Sequence, residues 1–525
     1  MSRKNWILFT GTAFLTATLM SGCSSGNTGE SGGKDSPSPA ATNGGSEKPA
    51  NAKKPEKVYI YANSGNLTLA ANLSKPEDLE MVKQKVIDEI GIEIVPVIPP
   101  KGQEGEKLNL LLASNEPVDI FAGDILPFQR RGAIQPLNEL LDKYGSDVRK
   151  LWPKEWGDSW KALTSSDGKI WGVPSVPALA TKAVFVRSDW LKKLNLPMPK
   201  TIDEYENVLK ALKESDPAGS GQTIPMITNL VGLNLALAAG YMDVGYGSFL
   251  DKDGKVKPSV LHPGYKEFVA RMADWYKKGY IYKETFVMNY ERTRELIKQN
   301  RIGSAAIHAS NITGVEYDLQ KNVPEAKYET AGEMKGPAGN ATTMSDISTG
   351  GYMISKNAKN PEGAMKLLNW VHSDLENYLL LFYGIKDRNW KYVDEKNHVL
   401  EAINKDYVGE LLLGDTFAYT LKYMLNDPIG KPEMDYLMEY SGDTSRVKKS
   451  GISDVSFKFD QAEIASSLPN RADLQRMMDE EVVKFIIGAR PMSEYDKFLQ
   501  GLNDAGLSKW IDVYTDQYNK AKAAS

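Results

Sequence analysis

From Val58 onward, short apolar runs alternate with longer stretches in which apolar residues recur every three or four positions. Val58-Tyr59-Ile60-Tyr61 reads as a short buried strand. Ser74 predicts the start of a helix, with Pro76 in its first turn and Glu77 three residues on as a capping box. Leu79, Val82, Val86 and Ile90 line one face of that helix, and Gly91 ends it. Ile92 to Ile98 predicts a second strand. A helix around Leu108, Leu111 and Leu112 leads to a third strand, Val118 to Phe121. Such a β-α-β-α-β run favours a parallel sheet with helices on both faces.

The pattern restarts near Thr181. Ala183 to Val186 predicts a strand and Asp189 to Leu194 a short helix. Thr201 and Glu204 form a capping box before a helix whose core face is Tyr205, Val208, Leu209 and Leu212. Asp253-Gly254 predicts a hairpin turn. The helix that follows buries Tyr265, Phe268, Val269, Met272 and Tyr276 and stops at Gly279. Ile302 to Ile307 and Gly350 to Ile354 read as strands, and Ala364, Leu367, Leu368 and Val371 mark a further helical stripe. The sum is α/β: two lobes that share the chain discontinuously, with a mostly helical C-terminal part.

The N-terminus changes this picture. Arg3 and Lys4 precede an apolar stretch from Trp6 to Met20 and then Ser21-Gly22-Cys23, the order of a secretory leader over residues 1–22. Cys23 is the chain's one cysteine, so no internal disulfide is available, and its setting resembles the box at which bacterial lipoproteins are cut and acylated. Residues 23–57 are rich in Gly, Ser, Pro, Asn, Lys and Glu and predict a disordered tether. A flexible coil of this length spans roughly 30 Å. The expected place is the outer face of the cell membrane, held by lipid on Cys23, because no later stretch is apolar enough to span a bilayer. Loss of Arg3 and Lys4 takes the formal charge from −4 to −6. A mildly acidic chain without a long basic block argues against nucleic acid as a partner.

Several phrases then recur in a familiar order. Pro117-Val118-Asp119-Ile120 is followed by Gly132-Ala133-Ile134-Gln135-Pro136-Leu137, then by Asp167-Gly168-Lys169-Ile170-Trp171-Gly172-Val173-Pro174. Arg187-Ser188-Asp189-Trp190-Leu191 comes next. The last is Gly351-Tyr352-Met353-Ile354-Ser355-Lys356-Asn357-Ala358, ahead of Pro361-Glu362-Gly363-Ala364. Together these resemble the extracellular solute-binding lipoproteins of ATP-driven (ABC-type) importers, in particular the large Gram-positive, sugar-binding type. The resemblance spans Val58 to about Trp510. It implies the two-lobed, type II periplasmic-binding-protein-like fold with hinge strands, an oligosaccharide ligand in the interlobe cleft, a membrane permease that recognises closure, and a monomer. On this basis the lobes are expected at 58–180 with about 302–370, and at 181–301 with about 371–525. No cofactor is expected. Calcium, which relatives often hold in an acidic glycine-rich loop, has only Asp216 as a carboxylate in the matching Asp216–Thr223 stretch, and a plain turn is the expected reading.

Sugars are gripped by rings stacked on their C–H faces and by polar groups directed at their hydroxyls. Trp171, beside Gly172, and Trp390, after the charged Lys386-Asp387-Arg388 loop, are candidate rings, against ordinary packing as the alternative. Polar candidates lie after strands, where ligands bind in open α/β sheets: Asn63, Asp124, His308 and Asn311, with Tyr241 after Ala239-Gly240. Capping and turn formation compete for each of the Asn and Asp positions. Lys386 and Arg388 offer cations for a uronate or form a solvated loop. Four histidines without metal-ligand spacing, no Gly-x-Ser-x-Gly elbow and no cysteine in the folded part give catalysis little support. A peptide receptor of the same fold and a surface-anchored glycosidase or polysaccharide lyase are the alternatives, the latter because two carboxylates suffice for glycoside cleavage.

Overall fold

The computed structural model describes residues 54–61, 73–100, 103–152, 157–175, 178–313, 315–413, 419, 422–425, 443 and 445–523. The leader, Cys23, the tether and Asn63 lie outside these residues. Among the described residues, no helix is long and apolar enough to cross a membrane.

Two sheets organise the chain. The first has the order Ile92–Val97, Glu56–Tyr61, Ile120–Asp124, Gly350–Ile354, Val173–Pro174. Its first three strands are parallel, as the β-α-β-α-β pattern predicts; Gly350–Ile354 returns antiparallel to Ile120–Asp124. Val58 and Ile60 point into a core that also receives Val82 and Val86 from the helix Pro76–Ile90. Gly91 ends that helix in the left-handed region, at φ 70°. Ser74 does not cap it. Its hydroxyl accepts the N–H of Val408 instead, and the helix opens at Pro76 without a side-chain cap.

The second sheet has the order Tyr328–Thr330, Lys182–Arg187, Ile302–His308, Ile224–Thr228. The Thr201–Glu204 capping box is present and holds the helix Ile202–Ser215, whose Tyr205, Val208, Leu209 and Leu212 are buried. In the helix Pro263–Lys277 the innermost aromatic residue is Trp275; Tyr276 lies at the margin and donates to the Lys283 carbonyl. C-terminal helices, Arg471–Ile486 among them, pack on this lobe, burying Phe485, Tyr495 and Phe498 in its core.

Sheet membership redraws the expected lobe boundaries. Ile302–His308 and Tyr328–Thr330 are strands of the second sheet, because Ile302–His308 pairs with both Lys182–Arg187 and Ile224–Thr228. Conversely, the helix Leu375–Tyr383 and the strands Trp390–Asp394 and Val399–Ala402 pack with the first core. The first lobe is therefore 54–175 with 350–425, and the second 178–349 with 443–523, within the described residues. The phrases that carry the family resemblance serve as ties inside these lobes. The buried Asp119 carboxylate accepts the N–H groups of Tyr59, Lys359 and Asn360, locking strand to helix. Arg187, fully buried, meets Asp189 through two hydrogen bonds of 2.7 and 2.8 Å and lies over the Trp190 ring.

Candidate functional site

Three stretches of the second lobe that flank the crossings, at Leu179, Thr342–Ser345 and Lys448, lie side by side. Leu179 N–H donates to the Ser345 hydroxyl and Ser345 N–H to the Leu179 carbonyl. Met344 N–H donates to the Lys448 carbonyl, and Lys448 N–H returns to Thr342. This triple crossing sits where strands of both sheets end. Asp124 closes its strand there, Gly350 begins its own opposite Asp124, and His308 ends its strand opposite Lys182.

A cavity of about 260 Å³ opens beside the crossing. Asp124 and Leu126 border it from the first lobe, and Asp346, Ile347 and Thr349 from the crossing segment. The second lobe adds Ser456, Phe457, Phe459, Gln461 and Tyr514. Asp124 caps the short helix Ile125–Arg130 by accepting the Leu126 N–H at 3.1 Å, and Thr349 accepts the N–H of Ile125. The Asp346 carboxylate is accessible yet recessed. It accepts the Ser450 hydroxyl at 2.6 Å, and loss of surrounding water raises it above the usual carboxylate range. Phe459 meets Tyr514 edge-on, and Tyr514 stacks on Trp510 with centroids 3.9 Å apart. Beyond Ser248 and Tyr514 lies a second recess of about 470 Å³, bordered by Tyr246, Tyr265, Trp510, Arg471 and Asp479. Burial raises the Asp479 carboxyl as well. An ion pair bridges the lobes at this edge: Arg130, on the helix that Asp124 caps, meets Asp460 and also donates to the Phe459 carbonyl.

A larger recess, about 780 Å³, is bordered by Asp147, Asp374, Tyr392 and Lys422 among others. All of its bordering residues belong to the first lobe, so movement of the lobes would not close it on a ligand.

Of the candidates read from sequence, Asp124 borders the cavity. His308 and Asn311 sit at the matching end of the second sheet. Burial and the neighbouring Lys182 push the His308 imidazole down to about 4, so it is neutral at pH 7. Asn311 is buried and its Oδ1 has no hydrogen-bond partner. Trp171 is half-buried against the Tyr61, Phe121 and Ile125 cluster and gives its indole N–H to the Ser165 hydroxyl. Tyr241 packs on Phe268 in the second core. Trp390 is 2% exposed, with its indole N–H on the Gly384 carbonyl; its ring is used up in packing and does not reach the cavity. Arg388 pairs with the buried Asp78 and with Glu77, and Lys386 with Glu376 and Glu395. Phe457, Phe459 and Tyr514 are cleft aromatics that sequence reasoning did not single out. The signal was a Phe-Lys-Phe alternation running into Asp460, which caps the helix Gln461–Ser467.

The Asp216–Thr223 loop does not fit a calcium ion. Both oxygens of Asp216 accept backbone N–H groups, from Gly221 and Thr223, and no second carboxylate lies within the stretch.

A family described as bacterial extracellular solute-binding protein matches residues 81–374, more than half of the chain. The chain belongs to that family. Among relatives of this solute-binding protein is the fructooligosaccharide ABC transporter substrate-binding protein FusA of Streptococcus pneumoniae, 24% identical over 505 residues, which cover 87% of this chain and 90% of FusA. Another is the polygalacturonan/rhamnogalacturonan-binding protein YtcQ of Bacillus subtilis, 24% identical over 368 residues, covering 68% of this chain and 71% of YtcQ. An extracellular solute-binding protein of Bifidobacterium longum subsp. infantis shares the fold at a TM-score of 0.62 and 20% identity, over 90% of this chain and 99% of that one. The alginate-binding protein AlgQ2 does so at 0.56 and 21%, over 88% and 97%. The solute-binding protein thus has the two-lobed fold of these structures, and the relatives named are binding proteins.

Proposed function

We propose that this chain is the receptor of an ATP-driven importer, capturing an oligosaccharide outside the cell and passing it to a membrane permease. The observation that carries this reading is the cavity at the crossing, where Asp124 from one lobe and Ser456, Phe457 and Tyr514 from the other face a single space. Carboxylate, hydroxyl and amide groups beside aromatic rings are what a sugar's hydroxyls and C–H faces call for. A ligand touching both lobes favours the closed arrangement by its extra affinity for it. Lipid on Cys23 would hold the receptor at the membrane, and the tether would let a monomer reach its permease. The chemistry asked of the site is binding, and the sugar is released intact.

The test is a thermal-shift screen of the mature chain, from Cys23 onward, against oligosaccharides, amino acids and short peptides, with the sugars analysed afterwards. A concentration-dependent rise with one sugar class, that sugar unaltered, is the expected result. A rise with peptides alone would make it a peptide receptor. Breakdown of the sugar would make it an enzyme.

A further inference from the structure

Resting on the sugar-receptor reading, we propose that the cleft selects by charge: it takes a neutral oligosaccharide whose hydroxyls donate hydrogen bonds, and it rejects uronates. The charged side chains bordering the 260 Å³ cavity, among the described residues, are Asp124 and Asp346, both carboxylates. A carboxylate accepts and cannot donate, so the ligand must supply the protons. Asp346 receives a hydroxyl from Ser450, and Asp124 spends one oxygen on the Leu126 N–H. Each keeps accepting capacity for sugar hydroxyls, and such charge-assisted bonds are the stronger kind.

The cations that would welcome a uronate have other work. Arg130 pairs with Asp460, Arg471 donates to Gln461 and Tyr514, and Lys458 lies over the Phe457 ring. In the adjoining recess Arg471 is matched by Asp479, which leaves no surplus of positive charge. Lys182, at the end of the second sheet, gives its ammonium to Thr181 Oγ1 and is outside the residues bordering either cavity. Lys386 and Arg388 are tied to carboxylates of the first lobe. A uronate carboxylate entering beside Asp124 and Asp346 meets like charge, which is how a site excludes a wrong partner.

Titration calorimetry of the mature chain with neutral fructo-, gluco-, manno- and xylo-tetrasaccharides, tetragalacturonate and tetramannuronate tests this at pH 7. One neutral class should bind, with both uronates at least about 100-fold weaker at low salt. Raising salt should narrow that gap by screening the repulsion. Asp124→Asn and Asp346→Asn, made singly and checked for folding by circular dichroism, should each weaken the neutral ligand about tenfold and narrow the gap further. A uronate that binds as tightly as the best neutral sugar, or a gap that neither salt nor either substitution changes, overturns the charge inference and leaves the receptor reading standing. Binding of peptides with no sugar bound at all overturns the sugar-receptor reading itself.

Discussion

Asp346 carries its charge in a recess with hydroxyl hydrogen bonds around it, and among the described residues no cation pairs with it. Its folded-state pKa is raised, so between the unfolded value of 3.8 and the raised value the folded protein binds more protons than the unfolded chain. Stability therefore falls as pH rises through that window, and at neutral pH the ionised group is a cost. Asp346→Asn should raise the melting temperature of the ligand-free protein at pH 7 by about 1–2 °C, read by calorimetry, while weakening ligand binding. Two histidines act with the opposite sign. Burial depresses His308 and His372 from 6.5 to about 4, and His372 Nδ1 is fixed against the Leu368 carbonyl. Their contribution is complete above pH 6.5 and is lost as pH falls towards 4, because the unfolded chain then takes up protons that the folded one refuses. Urea titrations from pH 7 to 4 should show this loss, and His372→Gln should flatten it.

Among the elements, the crossing strand Gly350–Ile354 is the most exacting. A Cβ on Gly351 would lie 2.5 Å from the Val173 carbonyl oxygen, a backbone atom that cannot swing away. Gly351→Ala should cost about 1–3 kcal/mol in a denaturant titration, through forced separation of two paired strands. Elements of this kind were legible where one local cause decided them. Apolar runs and 3.6-periodic stripes gave four strands of the first sheet and two of the second, while Val173–Pro174, Ile224–Thr228 and Tyr328–Thr330 went unread, and Thr201 with Glu204 gave a true cap. Ser74 with Glu77 has the same spacing and forms no cap, because Val408, brought in from far along the chain, takes the serine hydroxyl. Asp124 was legible as a residue after a strand. Trp390 was misplaced because an aromatic residue after a charged loop looks the same whether it faces a cleft or a core. Tyr514 was illegible because only the packing of the C-terminal helices carries it to the strand ends. The lobe boundaries failed for a related reason: strand pairing, which assigns Ile302–His308 to the second sheet, leaves no mark on the strand's own composition.

At the scale of the whole molecule, the two lobes meet through the triple crossing and through Arg130 and Asp460 at the cleft edge. About a third of each of these side chains is exposed, so the pair adds about 1 kcal/mol or less to the arrangement in which the lobes meet at this edge. That amounts to at most about fivefold in an equilibrium constant. Arg130→Asp should speed ligand dissociation about two- to fivefold in stopped-flow measurements and expand the scattering radius in solution. Adding Asp460→Arg should restore both, because the exchanged pair can form again.

The order in which the first sheet is assembled has a temporal meaning. Ile120–Asp124 has its pairing edge completed by Gly350–Ile354, and the whole second sheet is encoded between them. Until that late strand arrives, an apolar strand edge stands open, the kind of edge that recruits other chains. A chain stopped at residue 349 should collect in the insoluble fraction, whereas one carried through residue 425 can close the sheet. Synthesis and folding are thereby uncoupled. The receptor becomes a finished object only after most of its length has been made.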